Sequence, residues 1–572
     1  MVGRLAATVA VAVPLFLALG VGTAAASPTL QSTGSSFAGV AIQQWVGQAA
    51  TLLGLNINWQ VSSSVLGLQN FAQNLVDFGA SDIPYSSGQS AYTPTVPYEY
   101  MPDVAGALAF MYNLTGKTGT PITNLILNAS IVEGIFTGTI TTWNAAPIAN
   151  LNPQLAGDLP STTIVPVFRE DASGENYLLS DYLLHLDPAP FTAYQTAMQG
   201  NPEVPGQPGA QWPIPVTGVP YPPGYPGWNA GNMIGESGSD NVANYVSAAS
   251  SNGAITYVET AYAKEHNEPV ASLVNASGAA VQPTSVNDAT ALEDAILHAD
   301  LTQDLSGVYT NPLPNAYPIS AYSYLVTPCD PALAAAQSPP TSCTGSGANV
   351  FPTAKGQALG QFVAFLACAG QQKMAVLGYS PLPPNLVQED FDAIGRIEGG
   401  QQPPPVSAAT CKNPYVDGQT PLPGEPAVIG QAAGTPGAGA TTAANAVTGP
   451  GGSKAVTGST GVGGTGGSDN GAAGTVGSAQ GGPIVIQKGS VAADGSVSSL
   501  STVPPGPNPY QRDDGLTAAA TSLLRGLSPG AEVALWCAVL AVLLGAPPLF
   551  SFWRRRRRRR AEIATTTPIR VG

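Results

Sequence analysis

After Asp417 the sequence loses the means to build a core, and that break confines any large compact domain to the residues before it. Residues 417–515 are dominated by Gly, Ala, Thr, Ser and Pro. Such a composition buries too little apolar surface to offset the entropy of ordering the chain, so the expectation is a disordered linker. On flexible-chain scaling its roughly 100 residues reach about 55 Å between their ends, a span suited to crossing a cell wall. Within it residues 461–466 read G-x-G-x-x-G. No strand pattern precedes them and no helix pattern follows, which excludes a dinucleotide site.

The two ends set a compartment. Arg4 precedes an apolar stretch at residues 5–21, followed by Thr23-Ala24-Ala25-Ala26-Ser27. Small residues one and three before a cut after Ala26 mark residues 1–26 as a secretory signal peptide. An uncleaved anchor is the bland alternative, but the stretch is short for a span of about 20 residues. Residues 533–553 form a second apolar stretch, followed by seven consecutive arginines at 554–560. That pattern predicts one C-terminal transmembrane helix with a basic cytoplasmic tail at 554–572, leaving a large extracellular N-terminal part in a single-pass protein of the cell membrane. The arginine run inflates a total of 20 Lys plus Arg against 35 Asp plus Glu, a net charge of −15, so nucleic acid is not an expected partner.

Of five cysteines, Cys537 lies in the apolar C-terminal stretch and Cys329, Cys343, Cys368 and Cys411 lie in the N-terminal part. An even number in an oxidising compartment suggests two disulfides. Three connectivities are open, and pairing of sequence neighbours, Cys329 with Cys343 and Cys368 with Cys411, is the simplest. No C-x-x-C spacing points to zinc, and neither a metal nor a cofactor is expected.

Between residues 27 and 416 apolar helical patterns alternate with short β-rich runs, which argues an α/β fold. A proline-rich stretch at 201–228 interrupts the alternation and reads as a surface insertion; its Tyr and Trp residues also leave open a binding lip. Three segments place small hydroxyl residues directly before an amphipathic helix pattern: Thr33-Gly34-Ser35-Ser36-Phe37, Ser62-Ser63-Ser64, and Arg169-Glu170-Asp171-Ala172-Ser173-Gly174. A helix start offers free N–H groups to an anion. Each serine alone is read more simply as a helix cap, so only convergence of the three makes a site. Arg169 is the sole Lys or Arg between Lys117 and Lys264. Its guanidinium suits an oxyanion, which it can meet with two parallel charge-assisted bonds; the bland reading is a surface pair with Glu170 or Asp171.

A fourth segment, Asp77-Phe78-Gly79-Ala80-Ser81-Asp82, reads as a strand ending in a Ser-Asp turn. Together with Thr33 to Phe37 and Ser62 to Ser64 it resembles the phosphate-binding proteins of ABC uptake systems, the PstS type. Further matches are Gly138-Thr139-Ile140-Thr141-Thr142-Trp143-Asn144, Arg169 to Gly174, Ala254-Ile255-Thr256-Tyr257-Val258-Glu259 and Tyr379-Ser380-Pro381-Leu382-Pro383. The resemblance spans roughly residues 30–395.

It implies a two-lobed type II periplasmic-binding-protein fold over residues 27–416, closing on inorganic phosphate. One lobe takes about 27–106 plus 318–416, the other about 107–317, with chain crossings near 104–110 and 318–326. By position, Ser35, Ser36 and Phe37 supply N–H groups and a hydroxyl, Ser64 a hydroxyl at a helix start, and Arg169, Ser173 and Gly174 bind from the opposite lobe. Asp82 tests for a proton on the guest, accepting phosphate and refusing sulfate. The alternative is that Asp82 merely caps a turn.

The chain departs from the family at Glu175, where Thr or Ser is usual, and at Val65-Leu66, where small residues are usual. It also lacks an N-terminal lipid-attachment Cys, a role the C-terminal helix would take over. Glu175 either faces solvent, orients Arg169, or signals a ligand other than simple phosphate.

The expected function is thus a monomeric, membrane-tethered substrate-binding protein that delivers phosphate to the permease subunits of an ABC importer. A hydrolase is the enzymatic alternative. However, His185, His266 and His298 neighbour no nucleophile motif and no G-x-S-x-G elbow is present, so no enzyme is expected. A surface receptor or adhesin of the same fold, binding another oxyanion or a wall component without transport, is the remaining alternative.

Overall fold

The computed structural model describes residues 27–155, 157–199, 204–337, 343–345, 351–419 and 422. The signal peptide, the transmembrane helix and the basic tail expected from the sequence, and all of the expected linker except 417–419 and 422, lie outside them. Among the described residues no helix is long and apolar enough to cross a membrane.

Eight strands make the main sheet: β1 (Thr29–Gly34), β2 (Asn56–Val61), β3 (Phe78–Ser81), β4 (Tyr98–Asn113), β5 (Val165–Arg169), β6 (Ile234–Glu236), β7 (Ala254–Glu259) and β8 (Ser320–Pro328). Their order is β2-β1-β3-β8-β4-β7-β5-β6. β1 pairs in parallel with β2 and β3, and β5 pairs in parallel with β6 and β7. Between these two parallel groups run β4 and β8, antiparallel to each other and to their neighbours.

β4 belongs to both groups. Its first part, through Ala107, pairs with β8, and from Leu108 it pairs with β7. All residues between its two ends are buried, as expected of a strand covered on both faces. Helices supply that cover, with α1 (Gly39–Leu53) and α2 (Ser64–Ala72) packing against the β1–β3 group. α3 (Gly174–Leu186) and α4 (Ser239–Ser247) serve the other group, while α5 (Thr353–Ala367) and α6 (Pro384–Ile394) return to β1 and β4.

Parallel pairing is what positions the functional turns. The carboxyl ends of β1, β2 and β3 lie at one edge and lead into Ser35, Ser62 and Asp82, while β5 and β6 lead into Glu170 and Ser237. Ligands of open α/β sheets bind beyond such ends. Gly34 permits a close approach of β1 and β3, because a Cβ there would stand 2.1 Å from the Ala80 carbonyl oxygen.

The proline-rich stretch corrects the sequence reading. Residues 216–221 are exposed, but Trp212 and Trp228 are buried. Trp212 lies edge-on to Phe136 and beside Phe191, Tyr194 and Tyr257. Apolar area explains the difference: an indole gains more by entering the core than prolines lose by staying outside.

Both disulfides join sequence neighbours, Cys329 with Cys343 and Cys368 with Cys411. The second fastens the irregular segment after α6 to the end of α5, where Asn413 Nδ2 also donates to the Ala367 and Leu382 carbonyls.

Candidate functional site

The three hydroxyl turns form real helix starts, and their serines divide between capping and the site. Ser63 caps α2 by accepting from the Leu66 N–H, which frees Ser64. Ser173 caps α3 by accepting from the Asn176 N–H at 3.1 Å. Capping uses a lone pair of the hydroxyl and leaves its O–H free to donate, so the cap is compatible with the anion contact expected of it. Ser35 accepts from the Ala38 N–H and donates to Asp82.

Asp82 sits at the end of β3 between two donors. Ser35 Oγ donates to Oδ1 at 2.5 Å and Ser64 Oγ to Oδ2 at 2.7 Å. Burial, and after it the Glu175 charge, push its carboxyl up to about 7 against these bonds. Gly174 belongs to the same contact from the opposite parallel group. A Cβ on it would stand 2.3 Å from Asp82 Oδ2 and 2.6 Å from Ser64 Oγ, so only glycine lets α3 start this close.

Arg169, at the end of β5, is fully buried and fully engaged. Its Nε and Nη2 donate to the two oxygens of Asp171 at 2.7 and 2.5 Å. Nη1 donates toward Ser36 Oγ at 2.9 Å, Glu175 Oε1 at 2.8 Å and Ser239 Oγ at 2.9 Å. Burial disfavours the guanidinium charge, but Glu175 and Asp171 outweigh it and hold the proton more tightly than usual. Burial likewise opposes ionisation of Asp171, yet the Arg169 charge pulls its carboxyl below the ordinary range.

Glu175 completes the cluster. It does not face solvent: its side chain is 1% exposed, and Oε1 accepts from Ser36 Oγ at 3.0 Å and Ser239 Oγ at 2.7 Å besides Arg169. Oε2 is buried with no hydrogen-bond partner. Donors from both parallel groups therefore converge on one carboxylate oxygen, in an environment where charge-assisted bonds are strong.

Phe37 takes a packing place, with its ring against Gly106 and its carbonyl accepting from Tyr379 Oη at 2.7 Å. The Ser36 carbonyl accepts from Tyr262 Oη at 2.7 Å. Of the two departures at the α2 start, Val65 is buried and Leu66 is 46% exposed.

Sequence reasoning missed Ser239 and the braces of Arg169. Ser237-Gly238-Ser239 before the amphipathic α4 repeats the hydroxyl-before-helix signature and was findable by it. Asn176 was not, since its amide reaches the Arg169, Asp171 and Ala210 carbonyls through tertiary contact. Ala210 belongs to the proline-rich stretch and also accepts from the Ser173 N–H, so that stretch braces the start of α3. No group of three or more His, Cys, Asp or Glu suited to a metal ion occurs among the described residues.

The sequence profile described as a PBP superfamily domain matches residues 20–368. The chain is 28% identical over 368 residues to a phosphate-binding protein PstS of Xylella fastidiosa, covering 64% of this chain and 84% of that protein. It is 27% identical over 378 residues to phosphate-binding protein PstS 2 of Mycobacterium tuberculosis, covering 64% and 87%. Among solved structures, an ABC-type phosphate transport receptor from Vibrio cholerae aligns with a TM-score of 0.34 and 13% identity, over 62% of this chain and all of that one.

Proposed function

Because the chain belongs to the PBP superfamily, as a PstS-type member, we propose that it captures inorganic phosphate between its two parallel-sheet groups and delivers it to an ABC importer. The observation that carries this reading is the convergence of Ser36, Ser239 and Arg169 on one buried carboxylate oxygen. Those donors, two hydroxyls and a guanidinium, are equally the receptor for an oxygen of a tetrahedral oxyanion. The family is one of substrate-binding proteins and not of enzymes.

The rest of the proposal follows from position. Phosphate enters between the halves, which then close on it; ionised Asp82 accepts a hydrogen bond from the protonated guest, and fully ionised sulfate has no hydrogen to offer. The protein works outside the cell as a monomer, tethered by the stretch at 533–553 through the long linker, and hands its cargo to permease subunits.

Calorimetry on the full chain in detergent tests this with phosphate, arsenate and sulfate. Heat is expected with phosphate and arsenate and not with sulfate, and Arg169→Ala should weaken phosphate binding by about 2 kcal/mol or more, the worth of a buried charged partner. Equal binding of sulfate, or an unchanged affinity in the Arg169 variant, would move the site elsewhere.

A further inference from the structure

We infer that Glu175 is a tethered competitor for the oxyanion site: its carboxylate holds the donors that a bound anion needs, and an incoming ligand must displace it. The inference rests on the phosphate reading above and deepens it by naming what sets the affinity of that same site.

Three observations lead there. First, the donors are already committed. Ser36 Oγ, Ser239 Oγ and Arg169 Nη1 all lie within 3.0 Å of Glu175 Oε1, and an anion oxygen seated among them would require those same hydrogens. Second, the only cation in the cluster is already matched by two acids, Asp171 and Glu175, with Asp82 close by. A phosphate dianion added without moving Glu175 would meet net negative charge in a buried site, where like charges are screened least.

Third, Glu175 is incompletely satisfied where it stands. Oε2 is buried without a hydrogen-bond partner, an arrangement that raises the cost of the occupied state. An acid in the first turn of a helix is ordinary, because it complements the helix dipole. A buried acid that spans from α3 to Ser36 of the other parallel group is not explained by that alone.

The backbone supports displacement of the side chain without loss of the helix. Ser173 caps α3 and Asn176 anchors its first turn to three carbonyls. Rotation of the Glu175 side chain therefore leaves both supports in place. A competitor attached in this way acts at an effective concentration in the millimolar range or above, so phosphate binds more weakly than it would to vacated donors.

The test uses the full chain in detergent, with Glu175→Thr and the isosteric Glu175→Gln beside the parent. Calorimetric titration with inorganic phosphate should show Glu175→Thr binding about tenfold tighter or more, and Glu175→Gln tighter by a smaller factor. In parallel, hydrogen exchange is followed without phosphate in peptides covering 35–39, 173–178 and 238–243. Loss of the built-in occupant should speed exchange there in Glu175→Thr, and added phosphate should slow it again.

Equal or weaker phosphate binding in Glu175→Thr, with the parent binding well, would overturn the inference and leave the phosphate reading standing. If neither protein binds phosphate, the phosphate reading fails, and exchange still decides: faster exchange in the variant supports the tethered occupant, unchanged exchange overturns it. Should Glu175→Thr lose its cooperative melting transition, Glu175→Gln carries both measurements.

Discussion

Asp82 ties the stability of the site to pH. Its folded pKa of about 7 lies above the usual 3.8, chiefly through burial, so between those values the folded protein holds a proton that the unfolded chain releases. The resulting stabilisation is fully present below the unfolded pKa and is lost as pH rises through about 7. Glu99, which burial pushes up to about 8 against the pull of Arg396, acts in the same direction. Melting temperatures should therefore fall between about pH 4 and about pH 8, and Asp82→Asn should remove a part of that fall worth on the order of a few kcal/mol. A slope identical in parent and variant would contradict the assignment. At this scale the sequence was most legible where a residue acts through its own turn. Ser36, Ser64, Asp82 and Arg169 each lie at or just beyond the carboxyl end of a strand, where that pattern puts them. The hydroxyl of Ser173 shows why a serine before a helix is ambiguous in sequence: capping and ligand binding call for the same residue type.

Among the elements, the proline-rich stretch is the one whose role composition concealed. Prolines signalled a loop, and residues 216–221 are indeed exposed, but nothing local shows that Trp212 packs among Phe136, Phe191, Tyr194 and Tyr257. Burial of that kind is a tertiary fact. Trp212→Ala should cost about 3–5 kcal/mol in chemical denaturation, as truncation of a fully buried aromatic does. Because Ala210 accepts from the Ser173 N–H and from Asn176 Nδ2, the same change should also raise hydrogen exchange at the start of α3. A loss below about 1 kcal/mol would mean that the stretch packs loosely. Strand–turn–helix alternation, by contrast, was readable in advance, since periodicity and caps are local properties. The antiparallel placement of β8 beside β4 was not, because their pairing joins residues more than two hundred positions apart.

For the whole molecule the net charge of −15 governs encounter more than it governs the fold. A field of that sign repels an anion, and salt screens charges separated by more than about 10 Å at 0.1 M. The association rate of phosphate, followed by stopped-flow tryptophan fluorescence, should therefore increase with ionic strength; a decrease would show that a local positive field guides entry. The compositional break at Asp417 and the two terminal apolar stretches set the domain plan expected from the sequence; apart from 417–419 and 422, those segments fall outside the described residues. The pairing of β4 with β8 and then with β7 carries a mechanical corollary. β4 ties the two groups together with one unbroken backbone, hydrogen-bonded on its first part to β8 and on its second to β7. A strand shared in this way sets the register of both groups from one backbone, so a slip of β4 by one residue would disturb the turns on both sides at once.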